Sequence, residues 1–138
     1  MSTIFEKIVS REIPAHILYE DDQVISFLDI SQATMGHTLI CPKKAYQNIF
    51  EMPDDLLSHL MMVAKKLSIA IEKAFSISGL NLLSNNGQLA GQTVFHFHLH
   101  LIPRYKENDV TFKFENHMND LTFDEYQKRA RLIKEALS

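Results

Sequence analysis

The chain has 138 residues, enough for one domain with a single core and too few for a second of similar size. Its net charge of −3 argues against a broad nucleic-acid-binding face, and no apolar run reaches membrane-spanning length. A single cysteine, Cys41, excludes an internal disulfide, and the opening Met1-Ser-Thr-Ile-Phe-Glu-Lys lacks the basic start and apolar run of a signal peptide, so a reducing, cytoplasmic location is expected.

No repeat or low-complexity stretch interrupts the chain, and residues 1–138 read as one domain. Thr3 and Glu6 have capping-box spacing and predict a short helix to about Ser10, with Pro14 beyond its exit. Ala15–Glu20 and Gln23–Asp29 read as two strands around an Asp21-Asp22 turn. A loop over 30–36 leads to a strand from His37 to Cys41 that stops at Pro42. Pro53-Asp54-Asp55 opens a long helix to about Phe75, with apolar residues at helical spacing and Met61-Met62 in its core; Gly79 closes the turn after it. Leu80–Ser84 reads as a strand, followed by a polar, glycine-bearing loop from Asn85 to Gly91. Thr122 and Glu125 form a second capping-box pair and open a final amphipathic helix over about 122–137, able to pack on the domain or on a partner. Runs of short strands around one long helix predict an α+β fold, an antiparallel sheet of about five strands with helices to one side.

Residues 96–102 read His-Phe-His-Leu-His-Leu-Ile. In a strand, His96, His98 and His100 share one face, while Phe95, Phe97, Leu99 and Leu101 enter the core on the other. Neutral imidazole carries a lone pair near physiological pH, so three on one face suit metal binding or nucleophilic attack. One ion cannot readily take all three, because His96 and His100 lie about 13 Å apart along a strand at ~3.3 Å per residue. A metal would use two of them with His37 or Cys41. Attack on phosphorus is the better fit: His98 is the central nucleophile, and its neighbours bond phosphate oxygens. Gly91-Gln92-Thr93 and Asn85 add neutral donors and close backbone approach.

The pattern His96 to Ile102 resembles that of the histidine triad (HIT) superfamily. Phe27-Leu28-Asp29-Ile30, Gly36-His37 before Pro42-Lys43-Lys44, and Gly91-Gln-Thr-Val-Phe resemble it too, in the same order. The similarity spans roughly residues 3–105 and is strongest to the Hint branch and its bacterial relatives. It implies a HIT-like fold and attack by His98 on the α-phosphorus of a purine nucleotide conjugate. A covalent nucleotidyl-histidine forms, and water then releases an AMP-type product. By the same resemblance His96 and His100 contact phosphate or orient the nucleophile, and His37 buttresses them. Asn85, Gln92 and Thr93 bind phosphate, Asp29 the ribose, and Phe5, Ile8, Phe27 and Ile30 form the slot for the base. A homodimer with a continuous sheet is implied. Many bacterial relatives carry a Cys-x-x-Cys that helps bind structural zinc; this chain has none, so no metal and no cofactor are expected. Phosphoramidates are the expected substrates, with dinucleoside polyphosphates or a regulatory nucleotide-binding role as alternatives. His16, His59 and His117 match no motif and read as surface residues.

Overall fold

The computed structural model describes residues 2–137. Its elements in chain order are α1 (Ile4–Val9), β1 (Ile17–Glu20), β2 (Val24–Leu28), β3 (Thr38–Pro42), α2 (Asp54–Phe75), β4 (Gly79–Leu83), β5 (Leu99–Arg104) and α3 (Phe123–Ala136), with a single 3₁₀ turn at Gln88–Ala90. The strands form one antiparallel sheet in the order β1-β2-β3-β5-β4. This is the expected α+β arrangement.

Alternation along the strands sends side chains to two layers. Val24, Ile40, Leu99 and Leu101 meet Leu56, Leu60, Val63 and Ile71 of α2 on one face. Ile25, Phe27, Leu39 and Cys41 meet Phe5 and Ile8 of α1 on the other. That second layer is thin: a six-residue helix covers it where α2 supplies 22 residues opposite. The uncovered part of this face is the floor of a cleft.

Four expectations are corrected. The histidine segment is not one strand, because β5 begins only at Leu99. Pro42 has no N–H to offer, and its carbonyl is occupied by the His96 ring (Nε2 to O 2.6 Å), so the ladder between β3 and β5 ends at Ile40–Leu99. Phe95 is accordingly 43% exposed, although Phe97, Leu99 and Leu101 reach the core. Met61 and Met62 lie on the outer face of α2, 45% and 65% exposed. The turn after α2 is made by Ser76, in the left-handed region at φ 53°, while Gly79 already belongs to β4. Every residue of α3 is exposed, so its apolar stripe is not buried against the rest of the chain. No helix among the described residues is long and apolar enough to cross a membrane.

Candidate active site

The cleft is a cavity of about 570 Å³. Phe5, Ile8, Phe27 and Ile30 line its apolar part, and Asp29, Asn85, Thr93, His98 and His100 its polar part. Gly91 also borders it at φ 94°, and a Cβ there would stand 3.9 Å from the Asn85 side chain. The structure thus brings together nine of the twelve residues singled out from the sequence. The three others, His37, His96 and Gln92, are buried outside the lining.

Hydrogen-bond partners fix the protonation of each ring. His98 Nδ1 lies 2.7 Å from the carbonyl of His96, which can only accept, so Nδ1 carries the proton and Nε2 keeps its lone pair. That carbonyl is free because residues 93–98 have left the sheet. Nε2 of His98 has no protein partner. No buried side-chain polar atom among the described residues lacks one, so this nitrogen is reached from the cavity.

The other rings hold this arrangement. His37 Nδ1 accepts from the Ala33 amide at 3.2 Å, so its Nε2–H donates to His100 Nδ1 at 2.9 Å. His100, accepting at Nδ1, therefore has its own proton on Nε2 and can donate to an anion. His96 is wholly buried, with Nε2 donating to the Pro42 carbonyl and Nδ1 bonded to the Thr3 hydroxyl at 2.7 Å. It lies behind His98 rather than beside it, so its ring does not face the cleft as the strand reading implied.

Asp29 places Oδ1 on the amide and hydroxyl of Ser31, at 2.8 and 2.7 Å. Its Oδ2 lies 3.6 Å from His37 Nε2 and 3.9 Å from His100 Nδ1. Gln92 is fully engaged: Oε1 accepts from the Gly87 amide at 2.7 Å, and Nε2 donates to the carbonyls of Gln47 and Val94. It pins the loop instead of facing the cleft. Sequence reasoning missed Thr3 as a partner of the triad and Ser31 as the residue that orients Asp29. The Asp-x-Ser turn pattern could have shown Ser31. Nothing local could have shown a contact from Thr3 across 93 residues.

Burial lowers the pKa of all four histidines, since a low-dielectric setting penalises imidazolium. For His98 the His96 carbonyl partly offsets this, and for His37 the Asp29 carboxylate does. His96 is also lowered, chiefly by burial, with the Pro42 carbonyl opposing. His100 falls to about 4, through burial and then the neighbouring His98 and His37. Burial works to raise the Asp29 carboxyl, but the Ser31 bonds and then His37 and His100 hold it below its ordinary value.

Ligand atoms of Asp29, His37 and His100 lie within 4.8 Å of one another. A cation would need a lone pair on His37 Nε2, yet the Ala33 amide keeps Nδ1 as acceptor and the proton on Nε2. The trio fits a chain of hydrogen bonds better than a metal site.

His16 is exposed at the cavity, whereas His59 is half-buried against Asp21 (2.7 Å) and His117 pairs with Asp120 at the surface.

The HIT-domain family pattern matches residues 10–107. The Bacillus subtilis "Protein hit" is 41% identical over 136 residues, covering 98% of this chain and 94% of that one. A crystal structure of a HIT family protein from Bacillus anthracis superposes with TM-score 0.93 at 46% identity, covering 99% of this chain and 98% of that one. The Saccharomyces cerevisiae "Adenosine 5'-monophosphoramidase HNT1" is 41% identical over 104 residues, 75% of this chain and 63% of that one. Pattern, sequence and fold agree over most of the chain, and the protein belongs to the HIT family.

Proposed function

We propose that the protein is a nucleotide hydrolase that cleaves purine nucleotide conjugates at the α-phosphate, with phosphoramidates as its first substrate class. The observation that carries this reading is the state of His98: one nitrogen tied to a carbonyl, the other unprotonated at a cavity of nucleotide size. A yeast relative named for adenosine monophosphoramidase activity supports the choice of leaving group.

In the first step, Nε2 of His98 donates its lone pair to the α-phosphorus. An N–P bond forms, the bond to the amine leaving group breaks, and the amine departs with its electron pair, taking a proton from water in the open cleft. Water then attacks the same phosphorus, the N–P bond breaks with its electron pair returning to His98 Nε2, the attacking water gives up a proton to solvent, and a nucleoside monophosphate leaves. His100 donates from Nε2 to the phosphoryl oxygens as charge develops on them. His37 fixes the tautomer of His100, and His96 holds the carbonyl that orients His98. Asn85 and Thr93 donate to phosphate from the rim, on the loop that Gln92 pins. Asp29 Oδ2 accepts from the ribose hydroxyls. Phe5, Ile8, Phe27 and Ile30 enclose the base, whose faces bury apolar surface against them.

No metal or cofactor takes part in this scheme. We further infer a homodimer and a reducing compartment, the latter from the buried free thiol of Cys41. Steady-state rates on adenosine phosphoramidate and diadenosine polyphosphates test the scheme in wild type and His98→Ala. The substitution should cost about a thousandfold or more in kcat. Rapid denaturation of wild type at alkaline pH, where a histidine P–N bond survives, should trap an adenylyl group on a peptide containing His98. Equal turnover by the two proteins would refute the assignment, and faster turnover of the polyphosphates would reverse the order of substrate classes.

A further inference from the structure

We infer that Thr3 is a positioning residue for the nucleophile: its hydroxyl, donated to His96 Nδ1, holds in place the carbonyl on which His98 is aimed. This rests on the reading of His98 as the attacking group. The direction of the bond follows from its neighbours. The Pro42 carbonyl can only accept, so His96 Nε2 carries the ring proton and Nδ1 must accept. The Thr3 hydroxyl is therefore the donor across the 2.7 Å contact. The same oxygen accepts the Glu6 amide at 3.1 Å as the cap of α1, so both of its roles are in use.

His96 has no exposed atoms from which to meet a substrate, yet both its nitrogens are bonded. What such a ring can do is fix its own backbone, and its carbonyl is the acceptor for His98 Nδ1–H at 2.7 Å. Removing the Thr3 hydroxyl leaves a buried imidazole nitrogen unsatisfied. The ring then turns or admits water, and the carbonyl moves with it. Attack geometry tolerates little of this, since a displacement of about 1 Å costs on the order of a hundredfold. Phe5, two residues along α1, lies edge-on to His96 and His98 with ring centroids 5.4 and 4.9 Å away. One short helix thus meets the triad at two points.

An ordinary helix cap would also explain a threonine here, so the variants must separate capping from donation. Thr3→Val removes both the donor and the cap acceptor; Thr3→Ser restores both; Thr3→Asp keeps an acceptor for the Glu6 amide but has no hydroxyl proton to donate to His96. On adenosine phosphoramidate, Thr3→Val should lose about tenfold to a hundredfold in kcat with a smaller change in KM. Thr3→Ser should stay within about threefold of wild type, and Thr3→Asp should lose as much as Thr3→Val. Nitrogen-15 spectra of the wild-type histidines should show His96 protonated at Nε2 with Nδ1 as a hydrogen-bond acceptor. A Thr3→Asp as active as wild type would reduce Thr3 to a cap, and a proton found on His96 Nδ1 would overturn the role even if Thr3→Val failed to fold. A dead His98→Ala beside a fully active Thr3→Val removes the role of Thr3 alone. Full turnover by His98→Ala removes the nucleophile reading and this role with it.

Discussion

Each histidine of the triad has two ring nitrogens, and the partner of one decides what the other can do. Carbonyls hold protons on His98 Nδ1 and His96 Nε2, and the Ala33 amide holds one on His37 Nε2. Of the four buried rings, His98 is the one left with a lone pair at the cavity. An attacking imidazole must be neutral, and burial puts the pKa of His98 below the ordinary 6.5. The acid limb of kcat/KM assigned to this group should therefore fall below pH 6.5, with the rate rising as pH rises through it and level by pH 7; a pH–rate profile checks this. His100, at about 4, remains a neutral donor over that whole range. The identity of these residues was legible in the spacing of 96, 98 and 100. Their division of labour was not, because a tautomer is set by where the folded backbone aims its carbonyls and amides, whether the Pro42 carbonyl far along the chain or the His96 carbonyl two residues from His98.

At the scale of the elements, local chemistry predicted best where the signal is local. Both capping boxes form as the Thr-x-x-Glu spacing requires, at Thr3 with Glu6 and at Thr122 with Glu125. The start of β5 was misread because period-2 alternation continues through residues 95–98 whether or not the backbone is paired. Its true limit is set by Pro42 on the neighbouring strand. Gly36 shows the same dependence on distant partners. It sits at φ 90° just before His37, and a Cβ there would come within 2.8 Å of Phe75 at the end of α2. Gly36→Ala combines backbone strain with that clash and should destabilise the fold by about 1–3 kcal/mol, measured by urea unfolding. Met61 and Met62 fit a helical apolar pattern equally well on either side of α2, and packing put them outside.

Across the whole molecule, one sheet separates a thick core under α2 from a thin layer under α1, and the cleft opens where the thin layer ends. Four histidines buried as neutral rings make this arrangement sensitive to acid. Their folded pKa values lie below the unfolded value of about 6.5, so the unfolded chain binds protons that the folded one refuses. Their contribution to stability is complete above that value and is lost as pH falls towards about 4, the folded value of His100. Asp29 and Asp109, both lowered, lose theirs only at still lower pH. Tm should thus be level above pH 7 and decline from about pH 6 downwards, before the carboxylates titrate; calorimetry across pH 4–8 checks this. The sequence by itself determined the α+β class and the order of the elements, since hydrophobic period and caps are properties of neighbours along the chain, and its resemblance to the family pointed to nine of the residues that line the cleft. Only the tertiary structure decided that His96 turns inward, that Gln92 pins a loop, and that Thr3 reaches the triad. Those outcomes depend on which buried donor finds which acceptor, and pairing across tens of residues leaves no mark on the order of the residues themselves.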